Sequence, residues 1–504
     1  MDISYIWNSL QYFQAEITLA VVFVVLLLLD LFFKKSKLLL PIVSIAGFIV
    51  VAYFIFSTPN SPNLIFGAKD NPDLGMVVID PFGNFFKVII LLTTAFIVLF
   101  SLSSKEVEES GQNYGEYYVL LVGMTLGMFI MTSTVDLLLM YLAIEMVSIS
   151  SYILAGFTRQ VSRSSEASLK YIIFGAVASG TMLYGISIMY GMVGSTNIYA
   201  INAILSYSQV NTLTIIFAGL LIIVGLGFKI SMAPFHFWTP DVYEGAPITI
   251  TAILSVASKA AGFAILIRFL KVAFVDVAST NFQSSSWAIF EFFDWTYILA
   301  GLSVLTMTLG NLAALWQDNL KRMLAYSSIA HAGYLLMGIV ILDNQGIMAI
   351  LIYFAVYLFM NLGAFFVLML ISDRIGSEEI DDFNGLGFKA PFLCVSFTIF
   401  LISLTGIPPT AGFIGKLYLF AALIKTDWIW LAVIGVVNSV VSLYYYVRVI
   451  KHMYLKETDQ EINIPVSWGN IVLLSLLVAP TIILGVYFQP LVEYAQKSLS
   501  MLGF

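Results

Sequence analysis

The chain is 504 residues long, 60% hydrophobic and only 11% charged, with a mean hydropathy of +0.95. Those values lie far outside the soluble globular range and specify an all-α integral membrane protein. A net charge of −7 spread over many loops offers no nucleic-acid surface, and the single cysteine, Cys394, cannot build an iron–sulfur cluster, a structural zinc site or an internal disulfide.

The first apolar run is preceded by acids, Asp2 and Glu16, with no basic leader or cleavage motif, so it reads as a retained span. A span needs about 20 apolar residues, and by that rule about fourteen are expected. Their centres fall near Val24, Gly47, Thr94, Thr125, Ile144, Val177, Leu221, Ala260, Thr306, Leu335, Tyr357, Ser403, Gly435 and Val478. The seventh and twelfth are long and contain prolines. The chain divides into three N-terminal spans (1–110), two units of five spans (111–275 and 296–456) and a last span (457–504).

The positive-inside rule sets the orientation. With Lys34, Lys35 and Lys37 cytoplasmic, so are Lys105, Arg159, Arg163, Lys321, Arg322, Arg374, Lys389, Arg448, Lys451 and Lys456, which makes 13 of the 23 basic residues. Six fall outside (Lys69, Lys87, Arg268, Lys271, Lys425 and Lys497), and four lie within spans (Lys170, Lys229, Lys259 and Lys416). An even span count then leaves both termini outside.

The two five-span units resemble each other. Met124–Gly127 (MTLG) recurs at Met307–Gly310, and Tyr152–Gly156 (YILAG) recurs as Tyr334–Gly338 (YLLMG). Ala167 and Tyr171 match Ala349 and Tyr353 at nearly the same offset. Five spans is an odd number, so the second unit is inverted relative to the first. Inverted repeats that each contain a broken helix near mid-membrane are a transporter-type architecture.

Ionisable groups at membrane depth are costly and mark ion pathways. Glu145 lies mid-span, where the plain alternative is a helix-packing hydrogen bond. Its repeat position is Ser327, and His331, one turn on, is either a proton-handling group or a neutral core histidine. Lys229 precedes Pro234, whose missing N–H deprives the Ile230 carbonyl of a helical partner. Burial lowers a lysine pKa and a carboxylate raises it, so Lys229 is poised to exchange a proton as that balance shifts.

Lys259 sits among small residues that allow close packing and water entry. Lys416 follows the second break, Thr405–Gly412, and is placed equivalently to Lys229. Lys170 opens the sixth span, where snorkelling competes with a pathway role. His236, Trp238, Asp241 and Glu244 read as a cytoplasmic loop with a possible gating function. Gly123 and Gly127 read as close helix packing, and Gly225-Leu-Gly227, inside a span, is not a phosphate loop.

The stretches GLGFKISMAPFHFWTPDVYEGAP (225–247), SVASK (255–259) and GIPPTAGFIGK (406–416) resemble the antiporter-like proton-channel family of respiratory complex I, over nearly the whole chain. Lys259, where sister subunits usually carry histidine, and the lack of a long extension after the fourteenth span select one branch of that family. The resemblance implies that Glu145, Lys229, Lys259 and Lys416 carry protons, with Lys170 also a family lysine. It implies quinone reduction elsewhere in a bacterial inner-membrane NADH:quinone oxidoreductase. NADH, FMN, iron–sulfur clusters and quinone would sit in partner subunits, this chain holding no cofactor or metal. The neighbouring chains expected are antiporter-like subunit M and small subunits K and J. The alternatives are a subunit of an Mrp-type monovalent cation/proton antiporter, which shares the architecture, and a scaffold with vestigial charges.

Overall fold

The structure, a computed structural model, describes residues 4–33, 38–58, 61–67, 75–109, 114–207, 210–276, 287–457 and 464–501. Asp2, Lys34, Lys35, Lys37 and Lys69, which bear on the N-terminus and the orientation, lie outside the described residues.

The helices in chain order are α1 (Gln14–Phe32), α2 (Leu39–Ser57), α3 (Pro81–Ser101), α4 (Tyr114–Ser133), α5 (Leu137–Ala155), α6 (Ser162–Val193), α7 (Thr212–Ile230), α8 (Trp238–Gly245) and α9 (Ile248–Phe274). They continue as α10 (Trp295–Leu315), α11 (Leu320–Val340), α12 (Asn344–Ile375), α13 (Pro391–Thr405), α14 (Ala411–Lys425), α15 (Ile429–Leu455) and α16 (Trp468–Val486). Among the described residues thirteen helices are long and apolar enough to cross a membrane. The broken pair α13/α14 completes the fourteen expected spans, and every expected centre falls inside its helix. A short antiparallel pairing of Asn63–Ile65 with Val77–Ile79 lies between α2 and α3.

Helix ends are set by local chemistry. Asp136, Asn211, Asn319 and Asp343 cap the N-termini of α5, α7, α11 and α12, each accepting from backbone N–H groups that have no helical partner. Both breaks open with left-handed backbone: Ser231 (φ 61°) ends α7, and Gly406 (φ 87°) ends α13. The first break therefore begins three residues before Pro234, at a residue turn rather than at the proline. The Ala233–Pro234 and Pro408–Pro409 peptides are cis.

The centre is formed by α9, α11 and α12. The first is buried along its whole length and the others nearly so, while α1, α2 and α16 leave most of their surface outward. Around that centre the two five-span units pack in like fashion. The 32-residue α6 lies against both pieces of the first broken helix, α7 and α8. The 32-residue α12 lies against both pieces of the second, α13 and α14. The recurring glycines sit at matching close approaches. A Cβ on Gly127 would come within 2.8 Å of Val147 in α5, and one on Gly310 within 2.6 Å of the Ala330 nitrogen in α11. Gly123 faces Phe23 of α1. Both residues of the GxxxG pair are thus packing positions.

Two expectations about charge need correcting. Lys87, Arg268 and Lys271 are not loop residues. They lie in α3 and α9 and are buried. Lys87 pairs with Glu16 of α1 at 2.6 Å. Arg268 grips both Asp80 oxygens at 2.8 and 2.9 Å and donates to the Thr132 carbonyl. Lys271 stands 4.0 Å over the Trp287 ring. Their stems are apolar enough to pass as span ends, and only their partners make burial tolerable. Likewise Trp238, Asp241 and Glu244 are not loop residues but belong to α8, with His236 just ahead of it.

Candidate functional site

Glu145 is half-buried on α5, and its Oε1 has no hydrogen-bond partner within the chain. Lys229, in the last turn of α7, does not touch it. The ammonium donates instead to Ser148 Oγ at 3.3 Å, three residues beyond Glu145 and so on the same helix face. Trp238 fixes this helix end: its indole N–H donates to the Phe228 carbonyl at 3.1 Å, and its ring stacks on Tyr171 at 4.3 Å. The stem of Lys229 runs along α9, where Gly262 leaves room: a Cβ there would stand 3.5 Å from Lys229 Cγ. Gly262 is one turn from Lys259, so the two lysines meet at one stretch of α9.

Lys259 comes directly after a π-helical turn, Leu254–Ser258. The extra residue of such a turn rotates the remainder of the helix by about 100°. Lys259 thereby points across to α11, where it donates to the Ser328 carbonyl at 2.7 Å and the Ser328 hydroxyl at 2.5 Å. The same turn is held by Asn361 of α12, which donates to Ser255 Oγ at 2.6 Å.

From Ser328 the polar groups continue along α11. Ser327, the repeat position of Glu145, bonds the Tyr446 hydroxyl. That hydroxyl is 3.4 Å from His331 Nε2, and His331 Nδ1 is 2.7 Å from the Tyr353 hydroxyl. His331 is buried on α11, the helix that also carries Ser328, the acceptor of Lys259. Tyr334, 5.8 Å from the His331 ring, lies under Lys416 Nζ at 4.8 Å.

Lys416 donates to the carbonyls of Leu404 and Thr405 at 3.2 and 2.7 Å and to Ser439 Oγ at 2.8 Å. It thus caps the free carbonyl end of α13, where a cation also meets the helix dipole favourably. Gly406 is required here twice over: its φ is positive, and a Cβ would stand 2.7 Å from Lys416 Cδ. The expected equivalence of Lys229 and Lys416 does not hold. Lys229 lies on the helix before its break and bonds a neighbouring helix, whereas Lys416 lies on the helix after its break and closes the end of the helix before it.

Lys170 stands apart from this buried series. It is 39% exposed and pairs with Asp241 at 2.6 Å and Glu166 at 2.8 Å. The groups that sequence reasoning missed are Ser148, Ser328, Tyr446, Tyr353 and Tyr334. Serines and tyrosines inside apolar runs look like ordinary packing, and only the fold lines them up between the charges.

These contacts form a series of polar and titratable groups that runs between two broken helices. Residues 134–442 match the family described as NADH:quinone oxidoreductase/Mrp antiporter, TM. The chain is 48% identical to the NADH-quinone oxidoreductase subunit N 2 of Chloroherpeton thalassium, with 97% of this chain and 94% of that one covered. It is 44% identical to the subunit N of Chlorobium chlorochromatii, over 98% and 96%. The chain belongs to the subunit N family of NADH-quinone oxidoreductases.

Among solved structures, a chain of respiratory complex I from Thermus thermophilus with bound aureothin matches with a TM-score of 0.76 and 29% identity, covering 95% of this chain and 98% of that one. A chain of an archaeal membrane-bound sulfane sulfur reductase gives 0.86 and 26%, over 97% and 96%. A chain of the Mrp complex from Dietzia sp. gives 0.81 at 21% identity, over 97% of each, which is a likeness of fold alone.

Proposed function

We propose that the chain is a proton-translocating membrane-arm subunit of NADH:quinone oxidoreductase, driven by quinone reduction elsewhere in the complex. The observation that carries the reading is the series Glu145, Lys229, Lys259, His331, Lys416, in which Lys229 bonds Ser148 on the helix that carries Glu145, Lys259 bonds Ser328, His331 lies beside Tyr446, and Lys416 lies over Tyr334. From Lys229 onward each member has a hydroxyl beside it that can relay a proton. In this reading Glu145 sets the protonation of Lys229, Lys259 passes the proton to the second unit, and Lys416 releases it with water carrying it across the gaps. Lys170 serves the cytoplasmic mouth.

The two units, 111–275 and 296–456, act as inverted half-channels. The matching glycine contacts and the shared packing of α6 and α12 on the two broken helices support that pairing. NADH, FMN, iron–sulfur clusters and quinone belong to partner subunits, and the membrane is a bacterial inner membrane with both termini outside. The neighbours are subunit M and small subunits K and J. Glu145 favours such a neighbour, because its unpartnered carboxyl sits on a face of α5 whose Leu138, Leu142, Ile149 and Ile153 are about half exposed. The Mrp-type antiporter reading has the common fold in its favour but not the close relatives.

Glu145→Gln keeps the shape and removes the charge. In the assembled complex it should lower both proton translocation and quinone reduction by an order of magnitude or more, roughly the scale of one positioned proton-transfer group. Normal pumping by an assembled Gln variant would make the acid structural and end the reading.

A further inference from the structure

Resting on the proton-path reading, one charged group outside the buried series has a place in it. We propose that Arg322 is a positioning residue: from the first turn of α11 it holds α8, the short piece of the first broken helix, and through α8 it fixes the end of α7 that carries Lys229.

The contacts form a continuous mechanical line. Arg322 NH1 donates to Asp241 Oδ1 and to Glu244 Oε2, both at 2.7 Å. The other Asp241 oxygen accepts from Lys170 of α6 at 2.6 Å. Asp241 is therefore shared between the first unit and α11 of the second. Arg163 of α6, 3.7 Å from Glu244, and Glu166, 2.8 Å from Lys170, complete a set of three cations and three carboxylates. These charges are balanced and surround α8 from two sides. They line a cavity of about 200 Å³ and are each partly exposed to it, so water reaches them.

Three contacts link this set to the lysine. Gly245 ends α8 hard against α6, where a Cβ would meet the Arg163 carbonyl at 2.4 Å. At the other end of α8, Trp238 holds the Phe228 carbonyl, one residue before Lys229. Between Lys229 and Trp238 lies irregular backbone, with Ala233 N–H donating to Thr306 Oγ1 of α10 at 3.0 Å. An eight-residue helix flanked by such segments has little hold of its own, so its seat depends on these outside contacts. The helix that supplies Arg322 also carries Ser328, the acceptor of Lys259, and His331. A shift of α11 that loosened Arg322 would thus act on Lys229 and Lys259 together. Partly exposed ion pairs contribute little to overall stability, so the effect of the set is confined to the seat of α8.

The test uses the whole complex with Arg322→Gln and Arg322→Lys. Because both bonds run from a single guanidinium nitrogen, an ammonium can replace it. Hydrogen exchange over 232–246 should rise several-fold in the Gln variant and stay near wild type in the Lys variant. Protons moved per electron should fall at least twofold with Gln and recover with Lys. Should Arg322→Gln not assemble, the isosteric Asp241→Asn is read in the same way. Unchanged exchange in the variant that removes the charge overturns the role of Arg322 in seating α8. Raised exchange with an unchanged proton-to-electron ratio also overturns the proposal, leaving the set merely structural. Failure of the proton-path reading itself would register separately, as normal pumping by Glu145→Gln, whatever the exchange data give.

Discussion

Lys416 shows what a single buried charge does when every donor is used. Its three hydrogens meet two helix-end carbonyls and a serine, and its charge lies over a tyrosine ring. A protonated Lys416 is held by these groups, while a neutral one has one N–H fewer for the same acceptors, of which the Thr405 carbonyl also accepts from Ser439 Oγ at 3.0 Å. Lys416→Ala should leave folding intact, because it removes a buried charge along with its desolvation cost. It should still slow translocation and turnover by an order of magnitude or more, roughly the effect of one proton-transfer group. Lys416→Arg should be equally poor, since a guanidinium keeps its proton at every accessible pH. Vesicles carrying a pH-sensitive dye, with electron transfer monitored in parallel, measure both; wild-type pumping by Lys416→Ala would remove the second unit from the path.

At the scale of elements, other buried charges clamp helices together. Arg268 and Asp80 are fully buried and meet through two parallel bonds, with Asp80 also capping α3 through Gly83 N–H at 2.8 Å. A guanidinium matched to a carboxylate in this way does not give up its proton. The pair ties α3, α4 and α9 together, and among the described residues no hydrogen bond or ion pair joins it to Lys259. Arg268→Met alone should destabilise the protein by about 3–5 kcal/mol, because it strands a buried carboxylate. Arg268→Met with Asp80→Asn keeps the cap, removes both charges and should regain most of that loss. Thermal melting of the purified complex compares the two; equal melting temperatures for the single and double variants would show that Asp80 does not need its partner.

For the whole molecule, the decisive property is orientation. A cavity of about 840 Å³ gathers Lys105, Glu106, Arg159, Arg163, Lys321 and Glu378 on one face. Within it Lys321 is buried and pairs with Glu378 at 2.9 Å, while Glu106 accepts from the Ile248 N–H that opens α9. Burial raises the Glu106 carboxyl above its usual range, with Lys321 opposing that rise. Charged groups from both units thus meet where α9 begins. A cysteine placed at position 160 should react with an impermeant reagent only from the cytoplasmic side. Labelling from outside would reverse the channel ends and both half-channel assignments.

The sequence by itself determined the span count, the two breaks and the principal buried charges, Glu145, Lys229, Lys259 and Lys416. The reason is that hydrocarbon tolerates few polar groups, so length and charge along the chain are strong signals there. It did not distinguish a proton carrier from a clamp, and so Lys87, Arg268 and Lys271 passed for loop residues. Nor did it show that Lys229 bonds a neighbouring helix while Lys416 closes the end of α13, or that a π-turn aims Lys259 at Ser328. Those facts depend on which side chain, often far away along the chain, completes a hydrogen bond. Only the tertiary structure decided that, because burial of a charge is settled by its partners and not by its neighbours in sequence.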